Sequence, residues 1–126
     1  ATRSDLMDAE VRALLDTVET VEITTIGRNS GRPRRLEIWM YAIAGRHIIT
    51  GTPGARDWYA NVVADPSLTL HLPGGVALEG TATPVRDLDF RREVFTAEKT
   101  WWYRSQVPVD ELVGTSPMIE LHFPTG

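Results

Sequence analysis

The sequence predicts a mainly β fold, in which a β-barrel or rolled antiparallel sheet carries flanking helices. Three observations predict it: six segments have strand-like patterns, short turns separate most of them, and only two or three segments have helical spacing. A length of 126 residues, with 42% hydrophobic and 24% charged residues, is ordinary for a globular domain. We therefore expect residues 1–126 to form one barrel domain with an N-terminal helix.

The N-terminal segment changes from helical to strand-like spacing. Apolar residues recur at helical spacing over 5–17, and Ser4 or Asp5 is suited to cap the predicted helix. The β-branched run 21–26 predicts the first strand. Small and polar residues over 27–31 then predict a tight hairpin.

The next two strands are predicted by alternation and by a turn. Residues 36–42 alternate as one strand, and Gly45 leads into a third strand over 46–51. The second strand is expected to place one set of side chains on one face, Leu36, Ile38 and Met40, and the other set on the opposite face, Trp39 and Tyr41.

The second half of the chain is predicted to add three strands and two helices. In order, the predicted elements are a loop over 52–55, a helix over 58–64 capped by Asp57, strands over 68–72 and 76–85, a helix capped by Asp87 that runs to about residue 103, an irregular stretch over 106–116 and a strand over 118–123. One helix cannot bury Trp101, Trp102 and Tyr103 on a single stripe, so at least one should face a pocket or a partner subunit.

Positive charge is concentrated in one segment of the chain. Residues 27–56 contain six arginines and one acidic residue and therefore carry a formal charge of +5, whereas the rest of the chain carries −9. A local positive patch on an acidic chain favours a discrete anionic ligand over an extended nucleic-acid surface. We therefore expect a small-molecule ligand and no nucleic-acid partner.

Several kinds of chemistry are excluded or disfavoured. The chain has no cysteine, which excludes disulfides, thiolate metal sites and a cysteine nucleophile and fits a cytoplasmic location. His47, His71 and His122 stand alone on predicted strands, so no metal site is expected. No apolar run approaches the roughly 20 residues of a membrane span, and the phosphate-loop, dinucleotide and nucleophile-elbow motifs do not occur. In an enzyme of this kind, a bound organic cofactor should supply the chemistry.

The first predicted hairpin is a candidate anion site. Its arginines, Arg28, Arg32 and Arg34, lie among small and polar residues. Asn29 and Ser30 add polar side chains, and backbone N–H groups, a hydroxyl and guanidinium forks together suit a phosphate or carboxylate. The alternative is an ordinary hairpin whose arginines are solvated.

A second candidate segment follows the third predicted strand. It supplies hydroxyls, glycines and a guanidinium before a helix N-terminus, a combination that favours anions: Thr50, Gly51, Thr52, Gly54 and Arg56. The alternative is an ordinary strand-to-helix loop. Because consecutive antiparallel strands would place this loop near the first hairpin, we expect the two segments to act together.

The short helix after this loop begins with residues suited to a flat ring. Trp58 is suited to stack on such a ring, and Asn61 is suited to hydrogen-bond to it. The alternatives are that Trp58 packs in the core and that Asn61 faces water.

Taken together, these residues resemble the deazaflavin-dependent nitroreductase family, whose members use coenzyme F-420 and belong to the split β-barrel flavin-binding superfamily. The resemblance covers about residues 21–72. It rests on the run Thr24-Thr25-Ile26-Gly27-Arg28-Asn29-Ser30-Gly31-Arg32-Pro33-Arg34, on Trp58-Tyr59-Ala60-Asn61 and on Asp65-Pro66.

The resemblance implies a split β-barrel like that of pyridoxamine-phosphate oxidase, usually a homodimer. It implies binding of coenzyme F-420, a deazaflavin with a phosphate-bearing, polyglutamylated tail. The tail phosphate would be held by residues of the hairpin and of the loop: Arg28, Asn29, Ser30, Arg34, Thr50, Gly51, Thr52, Gly54 and Arg56. The residues expected to border the deazaflavin ring are Trp39, Trp58 and Asn61.

The chain departs from the family pattern in two places. Many relatives have a lysine where Asn29 stands, and many carry a longer, lysine-containing loop where this chain has residues 52–56. We hypothesise that Arg56 supplies the missing positive charge. The C-terminal third resembles the family too loosely to indicate a substrate.

The implied activity is that of an oxidoreductase. Reduced coenzyme F-420 would give a hydride to an electron-poor acceptor, such as an activated enone, a quinone or a nitroaromatic compound. Tyr41, Tyr103 and Ser30 are candidates to stabilise the charge that develops on the acceptor, and no residue qualifies as an essential acid. Two alternatives remain: flavin mononucleotide (FMN) as the cofactor on the same fold, and a non-catalytic carrier or sensor of a cofactor, haem or lipid.

Overall fold

The structure is a computed structural model that describes residues 9–124, and its strands form one antiparallel sheet. The strands are β1 (Thr20–Ile26), β2 (Pro33–Trp39), β3 (Tyr41–Ile43), β4 (Arg46–Thr50), β5 (Ser67–Leu72), β6 (Val76–Pro84) and β7 (Met118–His122). Their order in the sheet is β2-β1-β5-β6-β7-β4-β3. Although β2 and β4 lie near opposite ends of this order, they contact each other, so the sheet curls into a half-barrel. The predicted mainly β fold class is confirmed.

Five α-helices flank the sheet in the described part of the chain. They are α1 (Ala9–Thr17), α2 (Asp57–Ala64), α3 (Leu88–Thr96), α4 (Trp101–Gln106) and α5 (Val109–Thr115). A search of residues 9–124 finds no helix with the length and apolar character needed to cross a membrane.

Two apolar cores hold the helices on the sheet. The first core packs α1 and α2 against the sheet and includes Val11, Leu15, Ile23, Trp58, Val62, Leu70 and Ile119. The second core packs α3, α4 and α5 and includes Tyr41, Phe90, Phe95, Tyr103, Leu112 and Met118. Helix α2 packs on β1 and β6. Its residues Asp57 and Asn61 bond to Arg28, which places the start of α2 beside the hairpin that joins β1 to β2.

The second predicted strand is wrong as one strand, because it is interrupted at Met40. The Met40 N–H donates to the Glu19 carbonyl at 2.7 Å, outside the ladders on either side, so β2 ends and β3 begins there. The predicted faces are confirmed: Leu36, Ile38 and Met40 pack on the first core, whereas Trp39 and Tyr41 contact the aromatic rings of α4. The sheet therefore has seven strands rather than the six predicted.

The helix predicted to run to about residue 103 is also wrong as one helix. It ends at Thr96, because Ala97 is extended (φ −67°, ψ 152°). The Thr100 hydroxyl then donates to the Val94 carbonyl at 2.5 Å and stabilises a 3-10 turn that leads into α4. Trp101 and Trp102 on α4 are 60% and 42% exposed, so one helix does not bury the whole aromatic run, and a pocket or partner subunit against them stays a prediction.

The stretch 106–116, predicted to be irregular, contains α5. Its apolar residues Val109, Leu112 and Val113 recur at helical spacing, and the last two are buried in the second core. Pro108 stands at the N-cap position, where a residue without an N–H is tolerated. The helix is only seven residues long, which is why its pattern is weak in the sequence.

Two predicted helix caps have different outcomes. The Asp87 cap is confirmed, because its carboxylate accepts from the Asp89 N–H at 3.0 Å. The Asp57 cap is wrong: Asp57 is the first residue of α2, and its carboxylate accepts from the Arg28 guanidinium at 3.2 Å instead. The predicted start of the first helix, with its cap at Ser4 or Asp5, lies outside the described residues.

Candidate functional site

The hairpin between β1 and β2 is a tight turn held by its own backbone. The Gly27 N–H donates to the Arg32 carbonyl, and the Gly31 N–H donates to the Gly27 carbonyl, both at 2.8 Å. The Ser30 hydroxyl accepts from the Arg32 N–H at 3.2 Å. A Cβ atom at Gly27 would lie 2.7 Å from Ser30 Oγ and 3.3 Å from Arg34 Nε. Glycine at this position therefore lets the Ser30 and Arg34 side chains close over the backbone.

A buried amide, Asn61, joins this hairpin to α2. Its Oδ1 accepts from the Arg28 N–H at 3.1 Å and from Arg28 Nη1 at 2.9 Å, and its Nδ2 donates to Thr25 Oγ1 at 3.2 Å. Asn61 is only 3% exposed, and both lone pairs of its amide oxygen are used. Asn61 therefore does not face water, and it fixes the position of the Arg28 guanidinium, which Asp57 contacts from α2.

A cleft of about 630 Å³ lies between the hairpin and the first turn of α2. We call it the hairpin cleft. Six of the residues predicted to bind a cofactor line it: Arg28, Asn29, Ser30, Arg34, Trp58 and Asn61. Arg35 also lines the cleft and pairs with Glu22 at 2.8 Å, whereas Arg34 makes no ion pair with any residue of 9–124. The cleft thus presents one guanidinium, that of Arg34, that pairs with no carboxylate of residues 9–124.

The loop after β4 lies on a different cavity. Gly54 and Arg56 line a cavity of about 580 Å³ on the side of α2 that carries Tyr59. The Arg56 guanidinium folds back onto its own loop, donating to the Thr52 carbonyl at 3.0 Å and to the Ala55 carbonyl at 3.2 Å. The structure therefore does not bring the two predicted segments into one cleft.

The remaining predicted loop residues have structural contacts in this part of the chain. Thr52 Oγ1 also accepts from the Arg56 guanidinium, at 3.2 Å. A Cβ atom at Gly51 would lie 3.3 Å from that same guanidinium. Thr50 is buried, and its hydroxyl donates to the Pro117 carbonyl at 2.6 Å.

The two tryptophans predicted to border a ring are placed differently. Trp58 is 6% exposed and packs in the first core with its ring edge-on to Tyr59, and it also borders the hairpin cleft. Trp39 is 47% exposed, does not line the cleft, and makes an edge-to-face contact with Trp102 at 6.4 Å between ring centres.

The three residues predicted to stabilise developing charge lie in two places: Tyr41 and Tyr103 lie together, and Ser30 lies apart. The Tyr41 hydroxyl donates to the Tyr103 hydroxyl at 3.1 Å, and both rings lie in the second core. Burial raises the pKa of each phenol above its ordinary value, so both are neutral at physiological pH. Neither lines the hairpin cleft, whereas Ser30 does.

Each of the three histidines has a different polar partner. His71 Nε2 lies 2.7 Å from Thr24 Oγ1, His47 pairs with Asp16, and His122 lies 2.9 Å from Thr83 Oγ1. Over residues 9–124, no three metal-ligating side chains come together in a way that could hold an ion.

Arg91 is a buried arginine that the sequence analysis missed. Its guanidinium donates to the carbonyls of Val85 (2.9 Å), Val113 (2.6 Å) and Ser116 (2.5 Å). The side chain is 7% exposed, and burial lowers the pKa of the guanidinium from its ordinary value. Its position on α3, three residues before the buried Val94, was the signal that could have placed it on the buried face.

Comparison with solved structures identifies the architecture. A conserved hypothetical protein from Mycobacterium tuberculosis is 20% identical, with a TM-score of 0.70 over 98% of this chain and 85% of its own. A putative pyridoxamine 5′-phosphate oxidase from Listeria innocua is 9% identical, with a TM-score of 0.70 over 92% of each chain. A structure described as an F420-H2 dependent reductase, FDR-A, is 20% identical, with a TM-score of 0.60 over 86% of this chain and 97% of its own. These likenesses confirm the predicted split barrel.

Comparison with protein families tests the family resemblance that the sequence indicated. No curated protein matches the chain. The sequence model of a family described as F420H(2)-dependent quinone reductase, however, matches residues 2–109, which is most of the chain. The predicted resemblance to deazaflavin-dependent reductases is thereby confirmed. This chain belongs to the F420H(2)-dependent quinone reductase family.

Proposed function

We propose that this protein binds reduced coenzyme F-420 in the hairpin cleft and reduces an electron-poor acceptor such as a quinone, an activated enone or a nitroaromatic compound. The observation that carries the proposal is the cleft's charge. Arg34 makes no ion pair within residues 9–124, and Arg28 is held in place by Asn61, in a chain that belongs to an F-420-dependent family.

The donors of the cleft fit a phosphate group. Arg28 and Arg34 supply guanidinium groups, which match phosphate oxygens in a bidentate manner. Because Ser30 Oγ already accepts from a backbone N–H, its own proton is available to a ligand oxygen. Asp57, the one carboxylate of the lining, is engaged by Arg28. A volume of about 630 Å³ is also in the range of small-molecule sites.

The chain's residues would contribute binding and orientation. When bound, a reduced deazaflavin supplies the hydride. Arg28, Arg34 and Ser30 would hold the phosphate, while Trp58 and Leu36 would border the organic part of the cofactor. Holding two reactants in a near-attack geometry can contribute up to about 7–11 kcal/mol to lowering a barrier.

A fluorescence titration with coenzyme F-420 beside FMN tests the cofactor. We expect F-420 to bind the wild-type chain and Arg34→Gln to weaken that binding about tenfold, as loss of one charge-assisted contact should. Arg32→Gln is the matched control, because Arg32 lies on the same hairpin, is exposed and does not line the cleft. Equal loss in both variants would indicate general charge attraction and would contradict the assignment of the phosphate to this cleft.

Turnover separates an enzyme from a carrier. Reduced F-420 is mixed with a panel of quinones, enones and nitroaromatics, and its oxidation is followed by absorbance. We expect turnover with at least one acceptor class. Tight F-420 binding without turnover on any acceptor would favour a carrier or sensor, and preferential binding of FMN would favour an FMN enzyme.

A homodimer and a cytoplasmic location also remain predictions for this protein. One solved structure that is 20% identical, with a TM-score of 0.60, is described as a domain-swapped dimer. The exposed rings of Trp101 and Trp102 are consistent with a subunit contact. Sedimentation equilibrium of the purified chain measures the subunit count directly.

A further inference from the structure

The cavity beside Arg91 is a second positively charged site, distinct from the hairpin cleft. Three arginines line it, Arg56, Arg86 and Arg91, and no acidic side chain belongs to its lining. Tyr59 of α2 faces this cavity, whereas Trp58 of the same helix borders the hairpin cleft, so the first turn of α2 separates the two. We call this site the Arg91 cavity.

A buried hydroxyl in the lining has no protein partner. Ser116 is 4% exposed and lines the cavity, and its Oγ makes no hydrogen bond with any residue of 9–124. Burying a hydroxyl without a partner costs stability, and such groups are rare in folded proteins. Because the Oγ atom is sealed from solvent, a rotation of the Ser116 side chain towards the cavity would let it meet a ligand oxygen.

The charge of Arg91 is also uncompensated. Its three hydrogen bonds go to neutral carbonyl oxygens, which leaves two of its five N–H donors without an acceptor among the described residues. Arg56 likewise donates only to neutral oxygens of its own loop. Asp87, four residues before Arg91, caps α3 and accepts from the Asp89 N–H. A buried cation without a counter-ion favours binding of an anion.

We propose that the Arg91 cavity binds an oxyanion, a carboxylate or a phosphate, through Ser116 Oγ, the Arg86 guanidinium and the free N–H groups of Arg91. Tyr59 and Leu88 add apolar surface, so the anion would be part of an organic molecule. This oxyanion has two possible sources: the carboxylates of a cofactor tail, or those of a separate small molecule. Only the first source rests on the proposed function.

Calorimetry on the cofactor-free protein tests the cavity alone. The probes are inorganic phosphate and malonate, and the variants are Ser116→Ala and Arg86→Gln. We expect wild-type binding of at least one probe, weakened about tenfold in each variant. Arg92→Gln is the charge-matched control, because Arg92 is exposed on α3, pairs with Asp110 and does not line the cavity.

The thermal midpoint of Ser116→Ala separates a ligand-binding hydroxyl from a structural one. Because Ser116 Oγ has no partner within residues 9–124, we expect this variant to melt at or above the wild-type midpoint without ligand. A lower midpoint together with unchanged phosphate and malonate binding would show that the hydroxyl supports the fold, and the proposal would be wrong.

A comparison of cofactor forms distinguishes the two sources. Coenzyme F-420 with several glutamates and its core without glutamates are titrated by fluorescence against wild type and both variants. If the tail is the source, the glutamates should improve wild-type affinity about tenfold, and Ser116→Ala and Arg86→Gln should abolish that advantage. If a separate molecule is the source, the glutamates should have no effect while the probes still bind.

The two proposals fail in different ways. Failure of the cofactor core to bind wild type would contradict the proposed function, but phosphate or malonate binding that depends on Ser116 and Arg86 would still support the anion site. The anion site is overturned if neither the probes nor the glutamates bind wild type more tightly than both variants.

Discussion

The hairpin cleft and the Arg91 cavity hold positive charge in opposite ways. In the cleft, Arg28 and Arg34 belong to the surface hairpin of β1 and β2, and only Arg28 is fixed, by one amide and one carboxylate of α2. In the cavity, Arg91 is buried and bridges carbonyls from two separate segments, that of Val85 after β6 and that of Val113 and Ser116 at the end of α5. The cleft can therefore change its ligand contacts without loss of the fold, whereas charge and fold are coupled at Arg91.

The two sites differ because one holds exposed guanidinium groups and the other holds a buried one. An exposed guanidinium exchanges hydration for a ligand, so removing it affects binding more than stability. A buried guanidinium that satisfies backbone carbonyls leaves those carbonyls unpaired when it is removed. The comparison predicts that substitutions at the two sites will separate affinity from stability.

The largest expected effect is at Arg91. Arg91→Met should lower the free energy of unfolding by about 3–5 kcal/mol, because three buried carbonyls lose their donor while the apolar packing is largely kept. Urea denaturation followed by tryptophan fluorescence measures the change. Arg91→Lys should be intermediate, because one ammonium cannot reach all three carbonyls in the same geometry.

Arg92→Gln is again the control, and it should change the free energy of unfolding by no more than about 0.5 kcal/mol, since its ion pair with Asp110 is exposed. If Arg91→Met proved as stable as Arg92→Gln, the three carbonyls would have found other donors. The contrast between the two arginine sites would then be lost.

The hairpin cleft could be predicted because its chemistry is local in sequence. Gly27 and Ser30 lie in one turn, Arg34 follows in the next strand, and the glycine spacing that closes the turn is visible in the sequence. The core faces of β2 were predicted for the same reason, since alternation within one strand depends on no distant partner. The family resemblance also rested on this segment.

The relation between the two loops could not be predicted, because it depends on strand order. Adjacency along the chain suggested that the loop after β4 lies beside the hairpin, but β4 pairs with β3 and β7, whereas β1 pairs with β2 and β5. That order is set by packing between distant segments. Arg91 was missed for a similar reason, since two of its acceptors, Val113 and Ser116, lie more than twenty residues further along the chain.

A smaller effect is expected at Asn61, which couples stability and binding in the hairpin cleft. Asn61→Ala should cost about 2 kcal/mol of unfolding free energy and also weaken F-420 binding, because Arg28 loses its main fixed partner. Thr25→Val is the matched variant, since it removes the bond to Nδ2 and leaves the Arg28 contacts in place.

Urea denaturation and the F-420 titration, run on both variants, distinguish the two roles of Asn61. We expect Thr25→Val to lower stability by about 1 kcal/mol with a much smaller change in affinity than Asn61→Ala. If the affinities of the two variants changed equally, Asn61 would act on the fold alone, and positioning of Arg28 would not contribute to binding.

The smallest expected effect is a dependence of stability on pH at His71, on the strand β5 that pairs with β1. Burial lowers the pKa of His71 from its ordinary value, the charge of Arg35 lowers it further, and Glu22 opposes both. The unfolded chain therefore takes up a proton at His71 before the folded chain does, so stability falls as the pH is lowered through about 6.5. His71 does not line the hairpin cleft, but Arg35, whose charge lowers its pKa, does, and no histidine lines the Arg91 cavity.

Urea midpoints at about pH 7.5 and about pH 5.5, for wild type and His71→Gln, test this assignment. Glutamine keeps a polar group near Thr24, whose hydroxyl lies 2.7 Å from the imidazole, but does not titrate. The variant should lose less stability on acidification than wild type does. An equal loss would assign the acid sensitivity to other titratable groups, and the assignment to His71 would be wrong.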